Sequence, residues 1–201
     1  MIHIDPKCNS ERENYKLMIG SIIPRPIAFV TSLSENNIVN GAPFSYFNIV
    51  SSNPPMISLS VQRSIGNMKD TARNILRNKE FVVHLVDRSN VEKVNQTAAS
   101  LPSNQSEIDL AEFSIAPSTI IKVPGVIEAK VRLECVLELA LELGDEQSKC
   151  DFIIGRVVAF HIDESIYEDG KINPITYGAI SRLAGQSYGT IGEIFEYERP
   201  R

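Results

Sequence analysis

The sequence predicts a mainly β fold, an antiparallel barrel or sandwich with helices inserted between its strands. Three observations carry that prediction. In Val131 to Leu143, "VRLECVLELALEL", every second residue from Val131 is apolar, and Arg132, Glu134, Val136, Glu138, Ala140 and Glu142 alternate with them. Cys150 to Asp163, "CDFIIGRVVAFHID", follows after the polar turn "GDEQSK" and reads as its antiparallel partner. Nearer the N-terminus, short β-branched runs are separated by turn clusters, and the period changes to a helical one in only a few places.

The alternation outweighs composition. Leu, Glu and Ala favour a helix by intrinsic propensity. Helical winding would spread Val131, Leu133, Cys135, Leu137, Leu139, Leu141 and Leu143 around the whole circumference, whereas a strand puts them on one face. Upstream, Pro26 to Leu33 ("PIAFVTSL") reads as a strand and Ser34 to Asn37 as a turn. The chain returns through Ile38 to Val50 as a hairpin, breaks at "SSNPP", and resumes as a strand over Met56 to Gln62. In Asn67 to Lys79, Met68, Ala72, Ile75 and Leu76 recur at helical spacing, with Asn67 as the expected N-cap and Asp70 in the first turn. Glu80 to Asp87 is again strand, Asn90 to Ala99 a second helix, and Leu101 to Asp109 polar and irregular.

The chain has 201 residues, 43% hydrophobic and 22% charged, which fits one domain over 1–201 with an extended C-terminal segment. A net charge of −5 argues against a broad nucleic-acid footprint. No run approaches the roughly 18 apolar residues of a membrane span. The N-terminus lacks the apolar core of a signal peptide, so a cytoplasmic location is expected. Cys8, Cys135 and Cys150 are too scattered for a disulfide framework or a zinc cluster, and Cys135 is expected as a buried thiol.

Candidate sites each have a bland alternative. Thr31 and Ser32 could hydrogen-bond a ligand or simply open the following turn. "NMKDT" opens a helix, where free amides, Lys69 and Thr71 could hold an anion, with Arg63 just upstream. Ordinary capping explains the same residues. His84 and His161 lie in strands, where a histidine is more often structural. The run Pro43, Phe44, Ser45, Tyr46 is unusual for a core strand and fits either a tight edge or a surface lying against a flat ligand. No zinc motif, P-loop, nucleophile elbow or dinucleotide fingerprint is present.

"PRPIAFVTS", "NGAPFSYFNIVSSNPPMISLSV", "KDTARNI" and "EFVVHLV", in that order, resemble the flavin reductase-like, FMN-binding split-barrel proteins, including flavoredoxins. The ending "GQSYGTIGEIFEYERP" resembles theirs too, so the likeness runs from about Tyr15 to Pro200. It implies a split β-barrel with Greek-key-like connections, and a homodimer holding non-covalent FMN near the interface. By position, Thr31 and Ser32 would line the flavin ring, and Asn40, Ala42, Pro43, Phe44 and Ser45 would run along its edge. Ser58 and Ser60 would sit on the neighbouring strand. Arg63, Lys69, Asp70 and Thr71 would surround the phosphate, and His161 could reach the flavin from the second half of the barrel.

The activity implied is transfer of a hydride from NADH or NADPH to flavin and onward to a second acceptor, a redox partner protein or a monooxygenase. An FMN-binding electron carrier without its own nicotinamide site is the alternative. A cofactor-free interaction module is the third reading.

Overall fold

The computed structural model describes residues 1–64, 66–145 and 148–200. Helix α1 (Glu11–Ser21) comes first, opened by a capping box in which Ser10 and Glu13 satisfy each other's amides. Strands β1 (Arg25–Pro26) and β2 (Ala28–Leu33) follow, then β3 (Val39–Phe44), β4 (Phe47–Ser52) and β5 (Pro55–Gln62). Helix α2 (Asp70–Asn78) leads into β6 (Glu80–Leu85), and α3 (Val91–Gln96) and the short α4 (Glu107–Leu110) come next. The remainder is β7 (Ile115–Ala116), β8 (Gly125–Val126), the long β9 (Val131–Gly144) and β10 (Lys149–Ile162), β11 (Tyr167–Glu168), β12 (Lys171–Ile172), α5 (Pro174–Tyr177), β13 (Ile180–Arg182) and β14 (Tyr188–Thr190).

Seven strands form one antiparallel sheet in the order β3-β2-β6-β9-β10-β5-β4. The consecutive strands β3 and β4 lie at its opposite edges, joined only by Ser45 and Tyr46. The Tyr46 carbonyl accepts from the Ser60 amide at 2.9 Å, which draws the crossing against β5 and curls the sheet into a split barrel. Leu59, Val61, Ile75, Phe81, Val83, Cys135 and Ile153 are all fully buried inside it. Burial pushes the Cys135 thiol's pKa up, so it stays protonated. Gly155 allows the tightest packing, since a Cβ there would lie 2.3 Å from Phe81 Cζ. A smaller sheet, β1-β13-β14, flanks the barrel, and 191–200 continue beyond it without helix or strand.

The hairpin β2–β3, the strand β5 and the long pair β9–β10 form as their patterns predict. Several details differ. The alternating set of β9 does not stay on one face. Gly155 pairs with Leu137 but Ile154 pairs with Leu139, so Glu138 is an extra residue, a β-bulge. The bulge shifts the phase by one. Val131, Leu133, Cys135 and Leu137 pack with the core, as does Ala140, while Leu139, Leu141 and Leu143 turn outward at 44–46% exposure.

The second difference is the start of α2. Asn67 is not its N-cap, because its amide and carbonyl bond reciprocally to Ser64 at 2.9 and 3.2 Å. Lys69 takes the N-cap place instead, with no side-chain cap bond. The third lies in 38–50, which is two strands rather than one return, and 107–110 is helical rather than irregular. Of the turn expected between β9 and β10, Glu146 and Gln147 lie outside the described residues. No helix among the described residues is long and apolar enough to cross a membrane.

Candidate functional site

A cleft of about 360 Å³ opens where the chain crosses from β3 to β4. Pro43, Phe44, Ser45 and Tyr46 form its first wall, and Ser60 and Gln62 of β5 its second. Lys69 enters from the start of α2, with its Nζ 5.9 Å from the centre of the Phe44 ring. The first three amides of α2 have no carbonyl of their own helix to reach. The helix therefore presents donors and positive dipole on the side where Lys69 stands. Apolar Ile27, Val86 and Val94 line the floor.

Several lining residues carry no local sequence signal. Arg182 lies 4.5 Å over the Tyr188 ring, and the Tyr188 hydroxyl donates to Asn95 Oδ1 at 2.9 Å. Both reach the cleft because β13 pairs with β1. Tyr15 of α1 closes the remaining side.

The other predicted residues are distributed differently. Thr31 and Ser32 are fully buried at the turn end of β2, opposite Gly41 and Asn40, while Pro43 and Phe44 lie opposite Phe29 and Ala28. Thr31 donates to the Pro124 carbonyl at 2.7 Å. Ser32 and Thr71 both donate to Asn40 Oδ1, at 3.3 and 3.0 Å, and Asn40 donates to Glu107 Oε2 at 2.7 Å. Asn74 donates to Ser32 Oγ at 3.1 Å. This buried network ties β2, β3, α2 and α4 together and fixes the helix start that carries Lys69. Ala42 is half-buried in β3.

The four phosphate candidates do not converge. Only Lys69 lines the cleft. Asp70 forms an ion pair with Arg73 one turn along, and Thr71 is buried. Arg63 grips Asp151 through two hydrogen bonds of 3.0 and 2.7 Å and reaches Glu142 at 2.7 Å, which spends its charge. Ser58 and Ser60 are half-buried on β5, and Ser60 alone of the two lines the cleft.

The histidines are held by the scaffold. His161 Nε2 meets Glu134 Oε1 at 2.6 Å and does not line the cleft. His84 is fully buried, with Nε2 accepting from the Val126 amide at 3.0 Å and Nδ1 donating to the Phe29 carbonyl at 2.9 Å. That pair of bonds requires the neutral ring. Burial brings its pKa down to about 4, against the opposing pull of the Phe29 bond. A depressed pKa means the unfolded chain takes up a proton that the native ring refuses. Stability is therefore complete above about 6.5 and declines as pH falls towards 4, by an amount on the order of 3 kcal/mol from this residue. The His84 ring resonances, followed by NMR, are expected to stay in the neutral form down to about pH 5. A titration midpoint near 6.5 would contradict this assignment.

The family model for the flavin reductase like domain matches residues 19–180. The protein YwrF of Bacillus subtilis is 48% identical over 195 residues, covering 95% of each chain. The crystal structure of nitrilotriacetate monooxygenase component B from Bacillus cereus is 54% identical with a TM-score of 0.96, covering 98% of both chains. That of 2-nitrobenzoate 2-nitroreductase NbaA from Pseudomonas fluorescens is 28% identical with a TM-score of 0.89, covering 99% of this chain and 96% of that one. The matched residues include the β3–β4 crossing, β5 and Lys69, and the chain belongs to the flavin reductase-like family.

Proposed function

We propose that the chain is an FMN-binding oxidoreductase that takes electrons from NADH or NADPH and hands them to a second acceptor, working as a homodimer in the cytoplasm. The observation that carries this reading is the placing, on one cleft, of a flat apolar wall, Pro43–Phe44, and a cation, Lys69, that has no ion-pair partner among the described residues. These residues fit FMN. A planar ring can lie against the Pro43–Ser45 edge, and a phosphate suits Lys69 together with the uncapped α2 amides. Bound FMN supplies the hydride acceptor and the electron relay. The chain's own residues bind it, orient it and shield its ring from water.

The outward stripe on β9 supports the dimer. Leu141 pairs with Phe152 and Phe152 with Ser60, while Leu139 pairs with Ile154 and Ile154 with Ser58. The cleft wall thus continues directly into an exposed apolar face, as a site completed by a second copy would require. A partner monooxygenase is the acceptor suggested by the component B likeness. A small nitroaromatic is the one suggested by the nitroreductase likeness.

Mixing FMN-saturated protein with NADH or NADPH under anaerobic conditions tests the activity. Loss of the visible flavin absorption with at least one donor is expected. Tight FMN binding with no bleaching by either donor would favour the electron carrier instead.

A further inference from the structure

Next to the flavin cleft lies a larger one of about 700 Å³, within the size range of ligand sites. The two share one partition, made by Tyr15, Tyr46 and Gln62. We propose that this second cleft receives the phosphate-bearing part of a nicotinamide dinucleotide, with Arg12 and Lys16 of α1 as its cationic contacts. The proposal rests on the oxidoreductase reading above and adds to it where the donor docks.

Charge and geometry both favour this assignment. Arg12 and Lys16 are four residues apart, so they stand one turn apart on one helix face. Both are exposed, and among the described residues neither has a hydrogen bond or a close ion pair, although Glu13 on the same helix lies near enough to Lys16 to feel its charge. The cleft's third cation, Arg63, is already held by Asp151 and Glu142. Glu11 is the only acidic residue lining it among those described. Among the described residues, Arg12 and Lys16 are therefore the lining cations not held in a close ion pair.

The helix presenting that charge is fixed in place. Buried Arg25 donates to the Ile19 and Ile22 carbonyls at 2.7 and 2.6 Å, and to Leu183 O at 2.9 Å, clamping the C-terminal end of α1 to the small sheet. The capping box holds the other end. Arg12 and Lys16 precede residue 19, where the match to the family model begins.

The ligand class follows from the adjacency. A hydride donor must bring a flat ring to the flavin while its charged remainder rests elsewhere. Two clefts divided by one layer of side chains, the second with two exposed cations, suit a molecule with a reactive ring at one end and phosphates at the other.

The test compares wild type with the double variant R12A/K16A, both FMN-loaded, in anaerobic stopped-flow reduction. The donors are NADH, NADPH and the phosphate-free analogue N-benzyl-1,4-dihydronicotinamide. The dinucleotide dissociation constant is expected to rise about tenfold or more in the variant, and less at high salt. The limiting reduction rate, the rate with the analogue and the FMN affinity are expected to be unchanged. Unchanged dinucleotide affinity would overturn the proposal, and so would an equal loss with the analogue or a loss of FMN binding. If no nicotinamide reduces the wild-type protein, the oxidoreductase reading fails separately. Calorimetric titration with NADP+ then judges the cleft: binding lost in R12A/K16A supports it, and absent or unchanged binding overturns it.

Discussion

Glu134→Ala is expected to lower stability by about 4 kcal/mol, a fall in Tm of about 10 °C for a chain of this size. Glu134 is buried, yet its carboxylate serves five donors. Thr119 gives its amide at 2.6 Å and its hydroxyl at 2.9 Å, Ile120 and Ile121 give amides at 2.8 and 3.1 Å, and His161 closes the set at 2.6 Å. Alanine would strand these donors, the Ile121 amide in the interior and the others part-buried, at about 1–3 kcal/mol for each that no water satisfies. By contrast, Glu138→Ala removes an exposed pair with Arg156 and is expected to cost under about 1 kcal/mol. Urea unfolding of the two variants checks the difference, and similar midpoints would contradict it.

The same carboxylate gives a pH signature. Burial opposes its ionisation, but the bonds from the Thr119 amide, His161, the Ile120 amide and the Thr119 hydroxyl outweigh burial and hold its pKa at about 2. A carboxylate depressed in the native state stabilises above its ordinary value of 4.5, and that stabilisation is lost as pH falls towards 2. Glu134→Gln keeps the shape and removes the titration. Its acid unfolding is expected to be shallower than wild type below about pH 4.5.

What was legible in the sequence follows from how local each signal is. The long β9–β10 pair could be read because a period of two survives any tertiary context. The bulge at Glu138 could not, since Leu137 and Leu139 keep alternating in sequence while their faces exchange in space. Pro43–Ser45 and Lys69 stood out because their residue types are odd for a strand and a helix start, and they share one cleft. Hydroxyls are visible at Thr31, Ser32 and Thr71, but a sequence does not show which way they point, and all three turn to partners within the fold. Arg182 and Tyr15 reach the cleft only through pairing and packing across most of the chain, so no short motif announces them.

The second large effect is on binding. Lys69→Ala is expected to weaken FMN affinity about 10- to 100-fold, the value of one charge-assisted contact to phosphate. The fold should be almost indifferent, because the Lys69 side chain is exposed, makes no cap bond and, among the described residues, has its ammonium beside the Phe44 ring alone. Its loss there is worth about 0.5–1 kcal/mol at most. Binding and folding would thus separate in one substitution.

The most direct test is a flavin-fluorescence titration of FMN into wild type and Lys69→Ala, with melting curves of both. Wild type is expected to bind one FMN per chain, and the variant to bind it at least about tenfold more weakly with a nearly unchanged Tm. Failure of the wild-type chain to bind FMN, or equal affinity in the two proteins, would contradict the assignment of this cleft.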